Sequence, residues 1–152
     1  MREYRYQVDR DGRFFHDGTE ITDPLVLRFF LRAMKRTPEG RHLVVCQGEQ
    51  NWFAVRDTPF VVQRLGLRIE DGRLAAVELC FPGDYREPLD PAGLESAGGL
   101  LFCRVRAGAF RARLGRLATQ QLAPFLTDSG DGPTLLLGGA RHLIRESAPA
   151  GD

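Results

Sequence analysis

Lysine is almost missing from this chain. Of 21 basic residues among 152, Lys35 is the only lysine and the rest are arginines. Arginine suits planar, bidentate partners such as carboxylates and phosphates. Yet 20 acidic residues balance the cations and leave a net charge of +1, so no global field steers nucleic acid or a membrane surface. Cysteine is scarce too. Cys46, Cys80 and Cys103 are odd in number and far apart, which argues against a disulfide framework. Each sits in an apolar run, such as Leu79-Cys80-Phe81, where a free thiol behaves as a small core residue.

Other shortages exclude whole classes of chemistry. His16, His42 and His142 stand at no ligand spacing from one another or from a cysteine, and a zinc site needs at least three convergent ligands. The serines, Ser96, Ser129 and Ser147, fall in loops or in the tail, and no Gly-x-Ser-x-Gly elbow surrounds any of them. Gly98-Gly99 precedes a strand pattern, and Gly138-Gly139 lies inside a hairpin pattern. Neither has the helix-opening context of a phosphate loop. No run reaches the ~18 apolar residues of a membrane span, and no secretory pattern opens the chain. The expectation is a cytoplasmic protein without cofactor or metal.

What is there is punctuation. Asp11-Gly12, Asp17-Gly18 and Asp71-Gly72 are hairpin turns between strand-like runs. Asp23-Pro24 opens a helix, Asp as cap and Pro at the first helical position. Apolar residues run from Leu25 to Met34 more widely than a single stripe, which predicts a helix covered on two sides. Steps of four, three and four place Arg28, Arg32, Lys35 and Arg36 on one helical face. His42–Gln47 and Trp52–Arg56 read as paired strands. Asp57-Thr58-Pro59 breaks the ladder, because Pro cannot donate to it. Pro82–Gly99, rich in turn formers, predicts a mobile linking loop. Leu100–Val105 reads as a buried strand. Phe110–Leu122 reads as a second helix, with Arg113 and Arg116 facing outward. Gly115 within it suggests close packing, since glycine there costs about 1 kcal/mol relative to alanine. A final hairpin precedes a frayed tail from Arg145 to Asp152.

The segments group as two halves, 1–82 and 100–146, with a linking loop 83–99 and a tail 147–152. The fold class expected is α+β: two repeated motifs, each of antiparallel strands plus one helix. The candidate ligand-binding residues are the basic helix faces, Arg28, Arg32, Lys35, Arg36, Arg113 and Arg116. Trp52 and Phe53 are the aromatics that could stack beside them. Glu49 and Asp57, at strand ends, are the carboxylates that an enzymatic alternative would bring together. No catalytic constellation stands out.

The order Asp11-Gly12-Arg13-Phe14-Phe15, Gly18, Ile21, the capped helix, Glu49 and Asp57-Thr58-Pro59-Phe60 resembles the bacterial domain of unknown function family 1285. Leu25-Val26-Leu27-Arg28-Phe29 is similar to its Leu-Val-x-x-Phe helix. Val105-Arg106-Ala107-Gly108 and Arg113 match its second half loosely. Arg56 stands where that family has an acid, Phe14 or Phe15 where it has a tryptophan, and Cys46-Gln47 or Gln47-Gly48 where it has Thr-Pro. The resemblance implies an α+β fold of repeated strand-and-helix motifs, pleckstrin-homology-like in character, with a role in signalling and no enzyme activity. The partners expected are a protein or a small anionic ligand; neither nucleic acid nor a membrane is expected. Oligomeric state is open. The alternatives are a small enzyme with a carboxylate-lined pocket and an arginine-mediated nucleic-acid binder.

Overall fold

The computed structural model describes residues 2–128 and 130–147, so Ser129 and the tail beyond Ser147 lie outside the described residues. The fold is α+β, with many short strands and two short helices. Two compact units emerge: the chain up to Pro59 together with Pro82–Tyr85, and Phe60–Phe81 together with the chain from Arg86 onward. Phe60–Phe81 therefore belongs with the C-terminal part and not with the expected half 1–82. The reason is pairing: Phe60–Val62 and Arg73–Cys80 both find strand partners in the later sequence.

The first unit is one six-stranded sheet with one helix. Its elements are β1 (Glu3–Val8), β2 (Phe14–His16), β3 (Thr19–Ile21), α1 (Pro24–Ala33), β4 (Lys35–Arg36), β5 (His42–Cys46) and β6 (Glu49–Val55). The sheet order is β3-β2-β1-β6-β5-β4. It is not wholly antiparallel as expected, because β1 runs parallel to β6, with Arg5 opposite Trp52 and Tyr6 opposite Phe53.

Local chemistry sets these elements. The Asp9 carboxylate accepts from the backbone N–H groups of Asp11 and Arg13, each at 2.9 Å, which holds the Asp11-Gly12 turn between β1 and β2. Asp23 caps α1 by accepting from the Leu25 N–H at 2.9 Å, and Pro24 occupies the first turn. The helix ends at Ala33, because Met34 turns extended (ψ 132°). Lys35 and Arg36 then pair with Leu43 and His42. The predicted helix through Arg36 is thus cut short by the sheet edge, which satisfies the backbone of β4 better than one more helical turn.

The core between helix and sheet is aromatic. Tyr6 stacks on Phe53 at 5.0 Å, and Phe30 of α1 meets Tyr6 at 5.2 Å and Phe53 at 5.0 Å. Phe14 completes the cluster, 6.0 Å from Phe30. Such pairs add about 0.5–1.5 kcal/mol each beyond the area they bury. Against the other side of α1 lies the short helical turn Pro82–Asp84. Gly83 there has φ +74°, and a Cβ on it would sit 2.5 Å from the Arg28 amide nitrogen and 2.6 Å from the Pro24 carbonyl oxygen.

The second unit holds β7 (Phe60–Val62), β8 (Arg64–Glu70), β9 (Arg73–Cys80), β10 (Arg86–Pro88), β11 (Glu95–Ala97), β12 (Leu100–Val105), β13 (Phe110–Leu114), α2 (Arg116–Leu122), β14 (Leu126–Asp128), β15 (Pro133–Leu137), β16 (Ala140–Leu143) and β17 (Arg145–Glu146). They form three sheets, ordered β10-β9-β8, β17-β11-β12-β13-β7 and β14-β15-β16. The expected linking loop 83–99 carries β10, β11 and the capped turn Pro91–Gly93. The start of the expected tail is strand as well: β17 pairs with β11, and the Ser147 N–H donates to the Ser96 carbonyl at 2.8 Å.

The expected second helix is half strand. Phe110-Arg111-Ala112-Arg113-Leu114 alternates at period two, and Ala112 and Leu114 lie opposite Phe60 and Val62 of parallel β7. Gly115 marks the switch: its N–H donates to the Val62 carbonyl at 2.9 Å, and a Cβ would lie 2.8 Å from that oxygen. Close packing at Gly115 is therefore real. Gln121 ties α2 to the edge of β8, accepting from Leu65 N–H at 2.7 Å and donating to the Leu65 carbonyl at 3.1 Å.

Arg111 is 4% exposed. Its guanidinium carbon lies 3.6 Å from the Phe102 ring centroid, and Nε lies 2.9 Å from Glu95 Oε1. The pair bridges β13 to β11 across β12. Removing one partner of a buried ion pair typically costs about 3–5 kcal/mol, because the other charge is left without compensation. Arg111→Ala is expected to lower urea-unfolding stability by that amount, whereas Arg13→Ala, whose pairs are exposed, is expected to leave it nearly unchanged.

Glycine substitutions separate close approach from simple turn geometry. Gly83→Ala should destabilise by well over the ~1–2 kcal/mol of left-handed strain alone. Gly48→Ala, at φ +78° with nothing within 4 Å of its would-be Cβ, should cost only the strain. Thermal unfolding of the two variants side by side checks this.

Candidate functional site

The predicted basic face comes apart on folding. Arg28 and Arg32 remain together on α1, one turn apart. Lys35 and Arg36 are adjacent on a strand and therefore lie on opposite sheet faces. Lys35 shares the outer face with Leu43, its partner, while Arg36 shares the helix side with His42. Arg113 and Arg116 belong to the other unit and to different elements. Arg113 lies on β13 opposite Phe102, and Arg116 opens α2. Neither expected face, the four cations of the first helix or the two of the second, survives as one helical stripe.

The outer surface of α1 has a definite character. The sheet and the Pro82–Asp84 turn cover two sides of the helix, as expected, but Leu25 and Phe29 on a third side stay 67% and 42% exposed. The buried side is carried by Leu27, Phe30 and Leu31. Leu25, Arg28, Phe29, Arg32 and Ala33 line an open hollow of ≈570 Å³. Among the described residues, neither Arg28 nor Arg32 takes part in an ion pair. Their charges face solvent beside two apolar side chains.

The carboxylate pocket does not form. Glu49 opens β6 and Asp57 follows its end. Six steps of strand at roughly 3.3 Å each already set Glu49 about 20 Å from Val55, the end that Asp57 follows. The enzymatic alternative built on this pair is set aside for that reason. Among the described residues, no group of three or more His, Cys, Asp and Glu side chains could hold a metal ion. No helix among them is long and apolar enough to cross a membrane.

Trp52 and Phe53, neighbours in sequence, also take opposite faces. Phe53 is core, in contact with Tyr6, Phe14 and Phe30. Trp52 lies on the outer face, half-buried, with the Arg41 guanidinium carbon 3.8 Å from its ring centroid. Arg5 is its register partner on β1. Sequence reasoning missed Arg5 and Arg41. The alternation Tyr4-Arg5-Tyr6-Gln7-Val8 carried the signal for Arg5, placing it opposite the core-facing tyrosines. Arg41 follows the Thr37–Gly40 turn, and no periodicity announces it.

The cysteines differ in access. Cys46 is half-buried, whereas Cys80 and Cys103 are buried. Burial, with smaller contributions from Glu87 and Asp90, pushes the Cys103 thiol up to about 12. Tyr6 is raised as well, chiefly by burial.

No family model matches the chain, and no curated protein matches it. Solved structures do. A DUF1285 family protein from Silicibacter pomeroyi shares 22% identity, covering 93% of this chain and 80% of that one, with a TM-score of 0.71. A DUF1285 family protein from Shewanella baltica shares 11% identity over 78% of this chain and 90% of its own, at a TM-score of 0.62. The class defined is thus an α+β fold. Its particular form is that of the DUF1285 family proteins, in agreement with the resemblance carried by the Asp11–Phe15 turn and the Asp57–Phe60 segment. These likenesses speak for fold alone.

Thiol chemistry checks the burial pattern. At pH 8 iodoacetamide should modify Cys46 in the native protein, and Cys80 and Cys103 only after unfolding. A folded-state pKa raised above 9.0 means that the native state holds the Cys103 proton longer than the unfolded chain does. Its contribution to stability is therefore full below pH ~9 and is lost as pH rises from about 9 toward 12. Urea midpoints measured across that range should fall, and Cys103→Ala should flatten the fall.

Proposed function

We propose that the protein is a non-enzymatic binding module whose docking surface is the outer face of α1. Its occupant is a segment of another protein that carries acidic side chains beside apolar ones. A role in signalling is the finer form of this reading, since binding without chemistry is what such a module contributes. The observation that supports it is the exposure of Leu25 and Phe29 beside Arg28 and Arg32. Exposed apolar groups beside two cations match a partner of opposite pattern. Burying an exposed leucine or phenylalanine is worth about 1.5–3 kcal/mol, and partly desolvated charge pairs add selectivity and on-rate. An amphipathic segment laid along a groove is a familiar mode of peptide recognition.

A display selection of random peptides against the wild-type protein tests it. The expected outcome is enrichment of peptides with Asp or Glu near Leu or Phe, with affinity falling as salt rises. The double variant Arg28→Glu, Arg32→Glu should bind the same peptides at least about tenfold more weakly while keeping its unfolding midpoint. Peptides that bind the variant equally well would remove α1 from the account.

A further inference from the structure

We infer that the outer face of the six-stranded sheet is a second and separate site, one that takes a nucleoside phosphate. The helix covers only the side that carries Tyr6, Phe14 and Phe53. The opposite side is read from the register. Lys35, Leu43, Trp52 and Arg5 form one row across β4, β5, β6 and β1. Ala54, Gln7 and Phe15 form the next across β6, β1 and β2. Ala54 is the small residue in this pattern. It sits two residues along the strand from Trp52 and two strands from Phe15, so it floors a depression between two rings.

Two hollows open there and share Ala54 and Val55. One, of ≈340 Å³, is lined by Arg5, Arg41 and Trp52 among others; the next, of ≈540 Å³, by Gln7, Phe15 and Arg56 among others. Each falls in the size range of small-molecule sites, roughly 300–1,000 Å³. Arginines dominate the charge around them, with the exposed Glu20, register partner of Phe15, at the far edge of the face. Asp9 lines the second hollow, but its carboxylate is held by Arg13 at 2.9 Å. Glu3 reaches Arg5 only at 4.0 Å, in an exposed pair of small worth. Arg5, Arg41 and Arg56 therefore offer planar donors to phosphate oxygens.

The Trp52 ring is already used as a platform, with Arg41 above it. Indole faces accept guanidinium and nucleobase alike, and base stacking on an aromatic ring is worth about 1–3 kcal/mol. An incoming base replaces Arg41 on the indole, and the released guanidinium turns to the phosphate. A plain anion would use the arginines but leave Trp52 idle. A neutral aromatic would use Trp52 but leave the arginines idle. A nucleoside phosphate uses both.

Trp52 is the sole tryptophan of the chain, so its fluorescence reports on the site directly. Titration with AMP should change the emission saturably, with a midpoint at least about tenfold below that of adenosine or of inorganic phosphate. The double variant Arg5→Ala, Arg56→Ala, with both positions exposed and its fold verified by circular dichroism, should weaken AMP at least about tenfold and leave adenosine unchanged. Arg28→Glu, Arg32→Glu should leave AMP binding unchanged, which separates this site from α1. The inference is overturned by no saturable change with AMP, by phosphate matching AMP (a bare anion site), or by an eight-nucleotide single strand binding more than about a hundredfold tighter (a nucleic-acid groove).

Discussion

One helix against six strands is the constraint on which the first unit depends. α1 has ten residues and spans about 15 Å, while six strands at roughly 4.8 Å spacing make a sheet about 24 Å wide. The helix can shield one face only, and it does so through Phe30, which meets Tyr6, Phe14 and Phe53. The parallel pairing of β1 with β6 makes this cluster possible, since it sets Tyr6 beside Phe53 in register. The same register then dictates what is left outside. Arg5 must face away wherever Tyr6 faces in, and Trp52 must face away wherever Phe53 faces in. The exposed aromatic and arginine surface is a consequence of how the core is packed.

Much of the fold was legible where single residues decide geometry. Asp11-Gly12, Asp17-Gly18 and Asp71-Gly72 do turn the chain between paired strands, and Asp23-Pro24 does start α1. Turn and cap chemistry acts within a few residues, so sequence suffices for it. Decisions made by distant partners were not legible. Lys35 and Arg36 continue a helical spacing, yet the β5 edge takes them as strand. Phe110–Leu114 suits an amphipathic helix about as well as a strand until β7 and β12 are present to pair with it. Nothing local reveals that β1 and β6 run parallel, because that contact joins residues nearly fifty positions apart.

The candidate site shows the same division. Helical spacing places Arg28 and Arg32 correctly, and they remain the cations flanked by exposed apolar groups. Lys35 and Arg36, added by continuing that helix, and Arg113 and Arg116, taken from the second expected helix, scatter over faces and units. Glu49 and Asp57 fail for a simpler reason: a strand holds its ends apart. Arg111, two residues before Arg113, is a buried clamp on Glu95. An arginine-rich composition with near-zero net charge is thus divided between structure and surface. The solved neighbours share the fold, and the question of function rests on the two exposed faces of the first unit.

The central claim is that the sheet of this unit is covered on one side and open on the other. Hydroxyl-radical footprinting read by mass spectrometry measures this residue by residue. The account predicts that Trp52, Phe15, Leu25 and Phe29 are modified readily in the native protein, while Phe14, Phe30 and Phe53 stay protected until it unfolds. Protection of Trp52 and Phe15 equal to that of Phe53 would contradict it.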